Sequence, residues 1–307
     1  LTQTGTFKWA FIGDLQIPYH DKRAVELWFK VMKLWKPDAI DVVGDIDDQL
    51  EYSTFSDGTT DEFFSHLKAI EKEDDKALAD WQKQWDKIKP DDLLDSEKLF
   101  ADRPEKPVPR DTDPLPLIKK NADGARQFYT DLRAAHKDAD IHNSLGNHDI
   151  RIFKYIDKKA PEVKDDVTPN MLWGLDDLGI TWRHYELPPV ERHAGIYVHH
   201  GVTTTSTGLG VKADIENYGI SLVRGHDHRG GVVYKSYPMT GNSLVGMGTG
   251  HLCDPAAYGL RYTVNPAWEK GFGIAHVIDG KAHLQFVPVR HTEKGLTCIV
   301  DGKVFVN

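Results

Sequence analysis

The chain has 307 residues, 40% of them hydrophobic and 28% charged, with a formal net charge of −9. Such a length can bury a sizeable core as one large domain or two small ones, and the composition excludes wholesale disorder and fibrous repeats. Net acidity excludes coating of duplex nucleic acid by phosphate neutralisation alone, though not a nuclease whose cations supply the positive charge, and no apolar run approaches the roughly 18 residues of a membrane span.

In chain order, residues 7–13 (FKWAFIG) read as a buried strand. Residues 21–36 follow as a helix, with Ala24, Val25, Leu27, Trp28, Val31, Met32 and Leu34 at helical spacing, ending before Pro37. Residues 39–44 (AIDVVG) are the next strand, completing a β-α-β unit that favours a parallel pair with a right-handed crossover. Both strands end in Gly-Asp, and ligands of open α/β sheets collect at the carboxyl ends of strands.

The acidity is uneven. Residues 51–125 hold 19 Asp and Glu against 12 Lys and Arg, so an acidic insertion is expected at about 51–120 of a single domain spanning 1–307. Within it, 61–89 reads as a helical arm with Leu67, Ile70, Leu78, Trp81, Trp85 and Ile88 on one stripe. That stripe packs on the body or serves a partner or homo-oligomer contact through 61–100. Residues 103–116 carry five prolines and read as an extended connector. A helix is expected over 121–136 and a strand over 141–145. Strands at 195–199 and 220–224 follow, then strand-like runs with Asp-Gly hairpin signals at Asp279-Gly280 and Asp301-Gly302. Cys253 and Cys298 cannot build a disulfide framework or a thiolate zinc site of ordinary spacing, and read as reduced thiols of a cytoplasmic protein.

Five segments stop apolar runs and offer oxygen or imidazole donors: Asp14-Leu15-Gln16, Gly44-Asp45-Ile46-Asp47-Asp48, Gly146-Asn147-His148-Asp149, His199-His200-Gly201 and Gly225-His226-Asp227-His228. Carboxylate, amide and imidazole donors together suit borderline divalent ions. His199 precedes a donor, and strand alternation turns it away from His200, toward a structural role.

Taken in this order over about 215 residues, Asp14 to His228, the five segments resemble the calcineurin-like metallophosphoesterases. The resemblance implies an α/β fold: a β-sandwich flanked by helices, with a dinuclear metal site at the carboxyl ends of strands. It implies one metal on Asp14, Gln16, Asp45 and His228, and a second on Asp45, Asn147, His200 and His226, with Asp45 shared. His148 matches the histidine that meets the phosphoryl group or the leaving oxygen. Asp149 is the expected carboxylate to orient it, and Asp48 acts from behind. Gln16 is the departure, standing where the family usually has His; a neutral amide oxygen makes the first site harder. Mn²⁺ is the favoured ion, with Fe, Zn²⁺ and Mg²⁺ as alternatives.

The expected chemistry is hydrolysis of a phosphodiester, in a nucleic acid strand or a nucleotide, by in-line attack of an activated water. A phosphomonoesterase or protein phosphatase is the alternative, less favoured because Asp48 is followed by Gln49-Leu50 rather than Arg-Gly and the third motif is GNHD rather than GNHE. A non-catalytic scaffold using the acidic arm is the other alternative. Arg151, Arg224 and Arg229 flank the motifs as phosphate-holding candidates. Residues 203–210 can wrap a substrate, and Tyr258, Tyr262 and Trp268 can stack a base or fill the core.

Overall fold

The computed structural model describes residues 6–49, 52, 72–84, 87, 107, 114–159, 161, 164–205, 209–257, 260 and 267–307. The chain divides into two compact units, Leu1–Leu50 with Lys119–Asn307, and Glu51–Ile118.

The first unit begins with the expected β-α-β arrangement. β1 (Phe7–Ile12) and β2 (Ala39–Val42) pair in parallel, with α1 (Lys22–Trp35) between them. Asp21 caps α1 by accepting the Ala24 N–H at 3.3 Å, and Lys36 ends it in a left-handed turn before Pro37. The helix buries Ala24, Val25, Leu27, Trp28, Val31, Met32 and Trp35. Leu34, expected on that stripe, lies off it and is 67% exposed.

Next come α2 (Pro114–Ala135), β3 (Asp140–Ser144), α3 (Arg151–Lys159), α4 (Pro169–Trp173) and β4 (Thr181–Arg183). The helix expected over 121–136 starts earlier, inside the proline-rich stretch. Pro114 and Pro116 fall in its first turn, where a missing N–H costs no intrahelical bond. β5 (Val190–His193), β6 (Ile196–Val198), α5 (Gly210–Tyr218) and β7 (Ser221–Arg224) follow. The chain then runs through β8 (Gly230–Tyr237), β9 (Asn242–Thr249), β10 (Gly271–Ile278), β11 (Lys281–Pro288), β12 (Arg290–Thr292), β13 (Gly295–Val300) and β14 (Lys303–Val306).

These strands form a six-stranded sheet (β11-β10-β1-β2-β3-β4), a five-stranded sheet (β5-β6-β7-β9-β8) and a small sheet (β12-β13-β14). β1 to β4 are parallel neighbours, as are β6, β7 and β9. Asp279-Gly280 and Asp301-Gly302 close β10–β11 and β13–β14 with positive φ at both turn residues, as two-residue hairpins require. The two large sheets share one apolar core. Trp9, Phe11 and Val43 meet Val198, Val223 and Met247 there, and each fully buried side chain of this kind contributes about 1.5–3 kcal/mol. Facing the sheets this way brings the carboxyl ends of β1, β2, β3, β6 and β7 to one edge, where all five motifs lie. The protein is thus a mixed α/β fold.

In the second unit, a helix at 72–84 falls within the expected arm, with Leu78 38% exposed. Leu67, Ile70, Trp85 and Ile88 of the expected stripe lie outside the described residues. Among the described residues, no helix is long and apolar enough to cross a membrane.

Candidate metal centre

Three of the motifs, those after β1, β2 and β7, leave their strands through left-handed backbone turns. Asp14 (φ 51°), Gln16 (57°), Asp45 (52°), His226 (76°) and His228 (56°) all occupy the left-handed region, which few non-glycine residues adopt. Such conformations are costly and persist where the surroundings over-determine them, commonly at ligand clamps. Two glycines make room for the carboxylates. A Cβ on Gly146 would stand 2.0 Å from Asp45 Oδ1, and one on Gly225 would stand 2.1 Å from Asp14 Oδ2.

Asp45, His200 and His226 bring donor atoms within 4.8 Å of one another, a group that can hold a metal ion. Asn147 joins it: Oδ1 lies 2.7 Å from His226 Nδ1 and 3.1 Å from His200 Nε2. His200 Nε2 is 3.2 Å from Asp45 Oδ2. The other half stands alongside. His228 Nε2 is 3.1 Å from Asp14 Oδ1, and Gln16 Nε2 donates to Asp45 Oδ2 at 3.1 Å. Asp14 also accepts the His226 N–H at 3.1 Å. One oxygen of Asp45 thus meets both halves.

The protonation of these groups tests whether a cation fits. His200 Nδ1 faces the Val43 carbonyl at 2.6 Å, so it donates there. In the neutral ring Nε2 then holds a lone pair aimed at two oxygens that are themselves acceptors. Burial disfavours an imidazolium, yet the Asp45 carboxylate overrides it and pushes His200 up to about 9. Asp14 likewise outweighs burial at His228 and holds it well above the ordinary range. His226 goes the other way, to about 2, because burial is joined by the cationic His200 and Arg224. Asp45 is held well below the usual carboxylate range, since its imidazole neighbours His200 and His148 outweigh burial. Without an ion, protons must hold this set together; a divalent cation would satisfy the same lone pairs. Gln16 Oε1 is also buried with no hydrogen-bond partner among the described residues. The residues fit a metal. Two imidazoles with carboxylate and amide oxygens suit borderline ions, whereas Asp14, Gln16, Asp45 and His228 form a harder, oxygen-rich set.

Behind the cluster, one expectation is overturned. Asp149 does not orient His148. Its carboxylate accepts the backbone N–H groups of Gly146 (2.7 Å), Asp45 (2.8 Å), Ile46 (3.0 Å) and Asp47 (2.9 Å), tying two motif turns together. Burial and the Asp45 charge push its carboxyl up to about 6, against those donors. The partner of His148 is Asp48, with Oδ1 2.9 Å from Nδ1. The His148 backbone N–H in turn donates to Asp45 Oδ1 at 2.8 Å.

Arg224, one of the three phosphate-holding candidates, is instead in an ion pair: it is fully buried, pairing with Asp214 at 2.5 Å and donating to the carbonyls of Thr203 and Gly225. Arg151 turns inward to Asp48 and His148, while the Arg229 backbone N–H meets Asp227. His199 keeps the structural role its alternation implies: Nε2 lies 2.9 Å from the Tyr185 carbonyl and its ring stacks on Tyr185. Trp268 packs its ring 4.2 Å from His228. Tyr258, Tyr262 and residues 206–208 lie outside the described residues.

Two neighbours of the cluster lie outside the five motifs. Tyr185 presents its ring to His200 at 5.9 Å, and nothing in its local sequence marks it. His251 stacks on His228 at 5.5 Å and meets Cys253 Sγ at 3.0 Å. Here a signal existed, because β9 also runs into Gly-His.

No protein-family model matches the chain. It is similar to the "Gene 54 protein" of Mycobacterium phage D29, 25% identical over 308 residues and covering 96% of each chain. The "Gene 54 protein" of Mycobacterium phage L5 matches at the same identity and coverage. Among solved structures, Vacuolar Protein Sorting 29 from Cryptosporidium parvum matches at 14% identity with a TM-score of 0.43, covering 98% of this chain and 96% of that one. Vps29 of Chaetomium thermophilum matches at 10% identity and a TM-score of 0.42, covering 98% and 97%.

Proposed function

We propose that the protein is a metal-dependent phosphoesterase that hydrolyses a phosphodiester in a nucleic acid strand or a nucleotide. The observation that carries this reading is the convergence of Asp45, Asn147, His200 and His226 on one point, with a histidine–carboxylate pair, His148 and Asp48, immediately beside it. Asp14, Gln16 and His228 would hold a second ion through the shared Asp45, with Mn²⁺ favoured over Fe, Zn²⁺ or Mg²⁺. Ions bound there supply Lewis-acid activation of a water and neutralise charge on the phosphoryl oxygens.

The chain's own residues do the rest. Asp45 keeps the two halves in register. Asp149 holds the turns that carry Asp45 and Asn147. His148 lies 3.8 Å from Asp45, close enough to meet a phosphoryl or leaving-group oxygen at the cluster. A positioned proton carrier of this kind contributes about 10²–10⁴-fold. The preference for a diester rests on the second and third motifs, which lack the Arg-Gly and Glu of the protein phosphatase pattern.

The test is nitrophenol release from bis(p-nitrophenyl) phosphate and from p-nitrophenyl phosphate, each with Mn²⁺, Mg²⁺ and Zn²⁺. Turnover of the bis-ester above the mono-ester supports the proposal. Turnover of the mono-ester alone moves the assignment to a phosphomonoesterase, and turnover of neither defeats it.

A further inference from the structure

Arg151 is the first residue of α3, one turn beyond His148, and its backbone N–H donates to the His148 carbonyl at 3.0 Å. Its guanidinium does not face outward; the side chain is 14% exposed. Nη1 donates to the Asp48 carbonyl at 2.8 Å and to Asp48 Oδ1 at 2.6 Å, while Nη2 lies 3.1 Å from His148 Nε2. Asp48 Oδ1 meets His148 Nδ1 at 2.9 Å. One planar group therefore touches the imidazole at one nitrogen and the imidazole's carboxylate partner at the other.

These contacts decide the tautomer. A guanidinium has donors and no acceptor, so Nη2 donates and His148 Nε2 must present a lone pair. Nδ1 then carries the proton and gives it to Asp48, which as a carboxylate can only accept. The ring is held at both nitrogens and cannot flip. A lysine could not reproduce this, because one ammonium on a flexible stem lacks the rigid fork that spans two partners.

We propose that Arg151 is the positioning residue of His148, fixing it through Asp48 as the Nδ1–H tautomer with Nε2 toward Asp45. The kinetic consequence rests on the phosphoesterase reading; the tautomer is a property of the folded chain alone.

Two measurements test this, one of them independent of turnover. In metal-free protein labelled with ¹⁵N-histidine, at a pH where the ring is neutral, His148 Nδ1 is expected protonated and Nε2 bare. Arg151→Lys and Arg151→Ala should each move the ring toward a mixture of tautomers. In bis-ester hydrolysis, both substitutions should lower kcat about tenfold or more, with KM changed less than about twofold, the pattern of a side chain misplaced in the transition state. In a His148→Ala background, Arg151→Ala should cost nothing further, since the two act as one unit. An Nε2–H ring in the unmodified chain overturns the proposal. So does recovery by Lys of a raised KM at unchanged kcat, the behaviour of a phosphate clamp, or full additivity with His148→Ala. If the unmodified protein turns over neither ester, the phosphoesterase reading fails and the tautomer measurement alone decides the role of Arg151.

Discussion

The carboxylate of Asp149 lies beneath the backbone of Asp45, with Oδ2 accepting the Asp45 N–H at 2.8 Å. The same two oxygens take the N–H groups of Ile46, Asp47 and Gly146, so one side chain closes the turns after β2 and β3. Hydrogen bonds to a charged acceptor contribute about 1.5–3 kcal/mol each, and an amide would put a donor against some of these N–H groups. Asp149→Asn should therefore destabilise the metal-free protein by about 2–4 kcal/mol, read as a lower Tm or urea midpoint. Unchanged stability with lost activity would instead return Asp149 to the chemistry.

Asp45→Asn is expected to remove both ions. Asp45 Oδ2 is met by His200 from one side and Gln16 from the other, so no other residue can stand in for it. Titration calorimetry with Mn²⁺ and Zn²⁺ should show stoichiometry falling toward zero. Retention of one tightly held ion would mean that the two halves do not share this carboxylate.

Gln16→His should tighten the first site and turn it toward softer ions. Position 16 has φ 57°, a conformation His tolerates better than most residues, and Gln16 is fully buried beside Asp45. An imidazole there adds a nitrogen donor to an oxygen-rich set, and the expected outcome is a Zn²⁺ over Mg²⁺ preference raised about tenfold or more. Equal affinities in both proteins would show that residue 16 is not a ligand.

Stability should depend on Asp41. It is buried on β2, accepting from Trp9 Nε1 at 2.6 Å and Arg192 Nε at 3.0 Å. Burial pushes its carboxyl up from 3.8 to about 7, with Arg192 and the indole opposing. Between these values the folded chain keeps a proton that the unfolded chain releases, so this contribution is complete below about pH 4 and declines as pH rises toward 7. Asp41→Asn removes that decline. Urea midpoints at about pH 5 and about pH 8 should fall further apart in the unmodified protein than in the variant, and equal separations would refute the shift.

The segment at 51–118 should be separable from the metal centre. None of the motif residues lies in it, and Glu51–Ile118 forms its own compact unit. A Gly/Ser bridge in place of residues 57–112 leaves the start of α2 at Pro114 intact and adds little loop-closure cost. Metal binding and small-ester hydrolysis should survive. A folded bridged protein with intact metal content and no hydrolysis would place this segment in the active site.

What the order of residues determined by itself is local. Apolar runs that stop at Gly-Asp, Gly-Asn-His-Asp and Gly-His place donors at strand ends, and Asp-Gly pairs mark the hairpins, because strand period and turn chemistry act over a few residues. Tertiary structure decided which donor serves which partner. In the sequence, adjacency assigns Asp149 to His148 and leaves Asp48 behind the site. In the fold, neighbouring residues of a turn point apart, so Asp149 faces the backbone of the turn after β2, while Asp48, 100 residues from His148, arrives from that same turn. Arg224 follows the same logic: only the packing of α5 shows that Asp214 claims it before any phosphate can. Periodicity is set along one segment, but a side chain's partner is set by segments that meet across the sheets.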